Sequence, residues 1–243
     1  MSEPILSLSN LLLGYSQEKP VLHVEKVDIP RGKLVFLLGP SGIGKSTLLE
    51  FLGLMTDSCL NKNEGKYILR SGEGEDHDLL GIWGRSDMEI SAIRKEHLSF
   101  VFQSTNLMPN FSIGENMCFN LLMEGMSPEE AKQKVLKAMN EVGLPELLYD
   151  KKVVEASGGQ KQRIAFVRAF STRFSILFGD EPTGNLDEGN AIRLFEILKN
   201  KIETSQKTAV VVSHDARLAQ RFGDIIIEMK PGENGNPNSV LVH

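Results

Sequence analysis

Gly39-Pro40-Ser41-Gly42-Ile43-Gly44-Lys45-Ser46-Thr47 decides how the rest of the chain reads. The stretch meets the pattern G-x-x-x-x-G-K-[ST] in full. Its glycines let the backbone curl tightly enough for successive N–H groups to point inward at a polyphosphate. Lys45 adds a cation for the β and γ phosphates, and the Ser46 hydroxyl suits Mg²⁺. Just upstream, Lys33-Leu34-Val35-Phe36-Leu37-Leu38 is a short apolar run of buried-strand type. Just downstream, residues 46–52 hold helix formers and no breaker. A strand, a glycine-rich turn and a helix N-terminus form an anion-binding arrangement. Gly39, Pro40, Ser41, Gly42, Ile43, Gly44, Lys45, Ser46 and Thr47 are its candidate contacts.

Three further polar positions follow apolar, strand-like runs. Ile176-Leu177-Phe178-Gly179 emerges at Asp180-Glu181, which places Asp180 to hold Mg²⁺ and Glu181 to polarise a water. Val210-Val211-Val212-Ser213 ends at His214. A lone histidine is more often structural, but strand C-termini in an open α/β sheet face the ligand crevice. Gln103 follows Ser99-Phe100-Val101-Phe102 and is placed to reach the metal or the water. Ser157-Gly158-Gly159-Gln160 precedes a helix expected over residues 161–170. Its hydroxyl, glycine N–H groups and helix dipole suit a second anion. One chain then has two phosphate-binding elements, one with lysine and one without.

The chain has 243 residues, 41% hydrophobic and 24% charged, enough to bury a large core as one unit. A net charge of −5 and a pI near 5.6 argue against nucleic-acid binding. No apolar run approaches the ~18 residues of a membrane span, and Met1 to Ile5 has no export-signal character. Cys59 and Cys118 lack metal-type spacing and read as free thiols of a reducing cytoplasm.

The first thirty residues alternate like antiparallel strands. Residues 57–86 suggest a hairpin around Lys66-Tyr67-Ile68-Leu69 with a variable loop, in which Asp76-His77-Asp78 is solvated. Residues 103–170 are mainly helical. Ser112 with Glu115, and Ser127-Pro128-Glu129-Glu130, are helix-start signals. Ala131, Val135, Met139 and Val142 share one helical face, and Gly143 ends it. Strands are expected over residues 175–178, 208–212 and 224–229, the last completing the sheet, with an amphipathic helix over 189–203. The whole is an α/β fold: a nucleotide-binding core of residues 1–103 and 169–243, carrying a helical subdomain over 104–168.

At this point the chain resembles the ATP-binding-cassette (ABC) ATPases from Tyr15 to Asp224. The resemblance implies a P-loop NTPase core with a mainly parallel sheet, an N-terminal antiparallel β subdomain and a helical signature subdomain. In that family a signature S-G-G-Q caps the γ-phosphate bound to the opposite subunit. By motif, Tyr15 resembles the aromatic that stacks on adenine, and Gln103 the Q-loop glutamine. Ser157, Gly158, Gly159 and Gln160 resemble the signature, Asp180-Glu181 the Walker B pair, Asn185-Leu186-Asp187 the D-loop and His214 the switch histidine. Val101-Phe102-Gln103, Asn106-Leu107-Met108-Pro109, Gly114-Glu115-Asn116 and the run from Glu181 to Asp187 are similar to bacterial lipoprotein-releasing, macrolide-exporting and cell-division ATP-binding subunits.

That resemblance implies ATP and Mg²⁺ as ligands and a homodimer closed through ATP. It also implies separate membrane permease subunits docking near residues 103–119, and a place on the inner face of the cytoplasmic membrane. Ala156 departs from the usual leucine, and Ile43 brings a β-branched side chain into the phosphate loop; the expectation is altered packing or rate with activity kept. A soluble cassette acting on DNA or ribosomes usually carries a coiled-coil insertion or two cassettes, which 243 residues do not accommodate. A regulator that does not turn over is disfavoured by the intact Lys45, Glu181 and His214.

Overall fold

The computed structural model describes residues 3–16, 19–72, 76–83, 86–232 and 237–242. Pro4–Gly14 (β1) pairs antiparallel with Pro20–Pro30 (β2), as the alternation predicts. Leu34–Leu38 (β3) leads into the phosphate loop and Lys45–Leu52 (α1). Lys66–Arg70 (β4) pairs with β1 and with Asp76–Asp78 (β5). A short edge strand therefore stands where a solvated loop was expected. Asp78 ends that strand by accepting bonds from the Leu80 and Gly81 amides, which caps Leu79–Ile82 (α2). The expected variable loop includes residues 73–75 and 84–85, which lie outside the described residues.

Asp87–His97 (α3) is absent from the sequence expectation, although its signals are present. Ser86 caps its first turn, which carries Asp87 and Glu89, while Arg94, Lys95 and His97 occupy its last turn. It feeds Leu98–Val101 (β6). The helical stretch contains Ile113–Met123 (α4), Pro128–Glu141 (α5) and Gly158–Ser171 (α6). Both foreseen capping boxes form, at Ser112/Glu115 and Ser127/Glu130. Ala131, Val135 and Met139 are fully buried, and Gly143 takes a φ of 68° just beyond the helix. Ile176–Asp180 (β7), Glu188–Ser205 (α7), Thr208–Val212 (β8), Ala216–Phe222 (α8) and Ile225–Lys230 (β9) follow.

The sheet does not end at β9. Asn238–Val242 (β10) lies antiparallel to β9 and parallel to β2, and so fuses the N-terminal β structure with the parallel core. Among the described residues the order is β5-β4-β1-β2-β10-β9-β3-β8-β7-β6. The strands from β9 to β6 are mutually parallel. The central ones, β3 and β8, read as nearly unbroken apolar runs because both of their faces are covered. Val35, Leu37, Ile176, Phe178, Val210 and Val212 face one cluster with α1, α3 and the β structure. Leu34, Phe36, Leu177, Ala209 and Val211 face the other, with α4 to α8.

Asp224 ties the far ends of these strands together. Its carboxylate accepts the Leu34 amide at 2.8 Å and pairs with Lys199 at 2.6 Å, with Lys33 at 3.9 Å. Burial alone would raise this carboxyl, but the Leu34 amide and the two ammonium groups hold it below the usual range. Such a carboxyl stabilises the fold above its unfolded-state pKa, and the benefit disappears as pH falls through the folded-state value. Asp224→Asn should therefore lower stability by about 1–3 kcal/mol near neutral pH, read by urea unfolding, with the gap from wild type closing in acid.

Candidate functional site

The polar positions foreseen at strand ends come together on one edge of the sheet. Register explains it: Leu37 and Asp180 both lie opposite Val212, and Val101 lies opposite Gly179. The loops leaving β3, β8, β7 and β6 therefore start at one level. In the loop after β3, Gly42 and Gly44 have φ of 75° and 103°, in the left-handed region that glycine enters freely. Ile43 turns its side chain into the apolar core, which accommodates the β-branched residue, and its carbonyl accepts from the Asn238 side-chain Nδ2 at 3.0 Å.

Lys45 is 6% exposed, and its ammonium donates to the Gly39 and Pro40 carbonyls, each at 2.8 Å. Burial pulls its pKa below the ordinary lysine value, while the Glu181 and Asp180 carboxylates oppose that fall. Next along the helix, the Ser46 hydroxyl donates to Asp180 at 3.1 Å. Tyr15 is 69% exposed, with its hydroxyl 3.1 Å from that of Thr47, so its ring stands beside the phosphate loop.

Glu181 is the meeting point. One carboxylate oxygen lies 2.6 Å from His214 Nε2, and the other accepts from Gln103 Nε2 at 3.4 Å. Its φ of 46° is left-handed, unusual for a residue with a side chain. Beside it opens a cleft of about 370 Å³ lined by Thr183, Ser213, His214 and Arg217.

Ser157 is the N-cap of α6, and Gly158, Gly159 and Gln160 are its first turn, so the helix begins inside the motif and not after it. The Ser157 hydroxyl accepts from the Gln160 amide, and the Gln160 side chain accepts from the Ser157 amide. Gly159 matters for closeness: a Cβ there would sit 3.3 Å from the Asn185 carbonyl. Ala156 is buried among the helices. Among the described residues no hydrogen bond or ion pair joins the signature to the subunit's own Lys45, whose ammonium is held by Gly39 and Pro40.

Sequence reading misses the residues that brace these loops. Thr105 and Asn106 are both left-handed, with φ of 61° and 46°, and their carbonyls are held by the Arg168 guanidinium at 2.9 and 2.8 Å. Fully buried Asn116 exchanges bonds with both the amide and the carbonyl of Met108. Gln162, 0% exposed, donates to the Glu181 carbonyl at 3.2 Å and accepts from Asn185 at 3.0 Å. The signal for Asn116 is its place three residues after Ile113, on the apolar side of its helix.

Comparison with known proteins fits this geometry. The family model described as ABC transporter matches residues 22–184. The chain belongs to the ABC transporter family. It is 35% identical to the ABC transporter ATP-binding protein MJ0796 of Methanocaldococcus jannaschii, over 94% of each chain. It is 32% identical to the lipoprotein-releasing system ATP-binding protein LolD of Colwellia psychrerythraea, over 90% of this chain and 81% of the relative. Among solved structures, the dimeric MJ0796 cassette superposes with a TM-score of 0.80 at 32% identity, over 92% and 94% of the two chains. The same cassette in a post-hydrolysis dimer with ADP and Pi gives 0.78 at 31% identity, over 92% and 93%. The chain is thus an ABC cassette, the ATP-binding and ATP-hydrolysing subunit of its class.

Arg168 is the brace whose loss the geometry makes most readable. Arg168→Ala would leave two strained carbonyls without their charged donor. Stability should fall by about 2–4 kcal/mol, read by denaturant unfolding, and Arg168→Lys should recover part of it through a single contact.

Proposed function

We propose that this cassette hydrolyses ATP between two copies of itself and passes the resulting motion to a separate membrane subunit. The observation that carries the chemistry is the Glu181 carboxylate gripped between His214 and Gln103, beside Lys45 and Asp180. Phosphate-loop amides and the Lys45 ammonium bind the β and γ phosphates of ATP. The ring of Tyr15 stacks on adenine. Glu181 accepts a proton from the water that attacks the γ-phosphorus, the bond to the β–γ bridging oxygen breaks, and ADP leaves with that oxygen. His214 orients the carboxylate and contacts the γ-phosphate.

The donors at this edge suit Mg²⁺. Ser46 and Asp180 present hard oxygens 3.1 Å apart next to the phosphate loop, with the Gln103 amide as a third candidate. Bound there, Mg²⁺ would neutralise charge on the phosphates. Ser157, Gly158, Gly159 and Gln160 serve the partner's nucleotide, since Lys45 and Ser46 already serve their own. The helical stretch 104–168 then moves as the arm that carries them.

The membrane partner docks where the notch between core and helices is basic and apolar. A groove of about 550 Å³ has Phe102, Met108 and Phe119 on its walls, with Arg94, Lys95 and Arg173 at its margin. It adjoins residues 103–119, and Phe119, Leu122 and Met123 are exposed there. Among the described residues no helix is long and apolar enough to cross a membrane. We place the cassette on the inner face of the cytoplasmic membrane, held there by a partner seated in this groove. Lipoprotein-releasing names among the relatives support a membrane-protein partner.

Glu181→Gln should keep ATP binding but slow phosphate release by about 10²–10⁴-fold, the range of a lost general base. With ATP it should also run as a dimer in size-exclusion chromatography. Normal turnover would move the base elsewhere. Ser157→Arg should block hydrolysis and dimerisation with ATP affinity of the monomer unchanged. Mixed with Lys45→Ala subunits, it should give turnover above either parent, because one composite site holds both lesions and the other holds neither. Weak ATP binding by Ser157→Arg monomers would instead put the signature in its own subunit's pocket.

A further inference from the structure

Gln162 sits in the second turn of α6, five residues past the Ser157 cap, and no part of it reaches solvent. A buried side-chain amide must have both ends satisfied, and here the two ends go to different loops. Its nitrogen donates to the Glu181 carbonyl at 3.2 Å, and its oxygen accepts from the Asn185 side chain at 3.0 Å. The Glu181 main chain is otherwise fixed by its amide bonding to the Val212 carbonyl at 3.1 Å and by the Gly184 amide on its own carbonyl, also at 3.1 Å. The first two of these partners belong to different elements: Gln162 to the signature helix and Val212 to β8. Glu181 holds a left-handed φ of 46° under this set of bonds. Such a conformation persists only where its surroundings impose it. A slide or tilt of α6 therefore acts on the backbone of Glu181, whose side chain meets both His214 and Gln103.

We infer that Gln162 is a positioning residue that ties the signature helix to Glu181 of the same subunit, so that engagement of one nucleotide by the signature sets the geometry of the carboxylate at the other. The inference rests on the signature working in trans. In that arrangement the helix that caps the partner's nucleotide is, through Gln162, attached to the glutamate facing its own. Asn185 makes the link two-pronged: its side chain meets Gln162, while its carbonyl packs against the Gly159 position at the start of the same helix. The coupling has no charge in it: both bonds are neutral amide contacts of ordinary length, at 3.2 and 3.0 Å.

Gln162→Met keeps the length and packing of the side chain and removes the donor to Glu181. It should lower kcat about tenfold or more with KM within about threefold, the pattern of an interaction that matters in the transition state. ATP-driven dimerisation should survive when the change is made together with Glu181→Gln, and the Hill coefficient for ATP should fall toward one. Gln162→Glu provides a second reading where the first variant folds poorly. A protonated carboxyl there still donates to the Glu181 carbonyl, so kcat relative to wild type should recover as pH falls. Wild-type kcat in Gln162→Met would overturn the inference. So would loss of the ATP dimer along with kcat, which would mean that the residue only holds the signature helix in shape. Slow turnover with the Hill coefficient unchanged would also overturn it, since Gln162 would then set Glu181 without joining the sites. Failure of the trans reading shows separately, as weakened ATP binding by isolated Ser157→Arg monomers.

Discussion

The parallel register of β3, β8, β7 and β6 is the constraint on which the rest of the site depends. Parallel strands in register deliver their C-terminal ends to one level. Here those ends release the phosphate loop, His214, Asp180-Glu181 and Gln103. None of the loops has to be long to bring its polar group to the others. The register itself is protected by the side-chain period. A one-residue slip of β8 would exchange Val210 and Val212 with Ala209 and Val211 between two differently shaped apolar clusters. Hydrophobic packing far from the chemistry thus sets distances of 2.6 to 3.4 Å within it.

The two faces of the sheet have different duties. One carries α1, and with it Lys45 and Ser46, rigidly against the β structure. The other carries the helices, including α6 with its signature turn. Apolar contact alone would let that helical layer settle in several nearby positions, since dispersion and burial are not directional. Polar contacts specify which one. Arg168 binds the loop after Gln103, Asn116 fixes the same loop further on, and Gln162 reaches the loop after β7. Each satisfied buried polar group adds little net stability but makes other registers costly, because shifting it strands a donor or an acceptor.

This division explains what could be read from the sequence. The phosphate loop, the paired carboxylates and α5 are local patterns: a glycine spacing, a strand end, a capping box with an apolar face. β10 is not local. It pairs with β2, more than two hundred residues earlier, and its own short run carries no sign of where it goes. Asp76–Asp78 is a strand only because β4 lies beside it. α3 was legible in its capping serine and charge gradient, but the polar composition around it outweighed those signals. Gln162 and Arg168 look like ordinary polar residues on a helix, and only burial reveals that they span between elements. Ser157 to Gln160 was found by motif, yet the helix starting within the motif follows from cap geometry.

Glu181 shows why the brace has to be there. Gly42 and Gly44 reach left-handed backbone at no steric cost, because their contribution is amide direction and no side chain is needed. Glu181 occupies the same region with a side chain, and glycine cannot replace it without removing the carboxylate. A non-glycine residue so placed costs about 1–3 kcal/mol. The β7–β8 ladder holds it from one side, through Val212, and the turn holds it through Gly184. The third hold comes from a helix on the other layer. A strained conformation held only by the rigid core would be fixed; one held partly by a separate layer responds to where that layer sits. The left-handed glutamate thereby makes the reacting edge sensitive to the helices without any of their charged groups entering it.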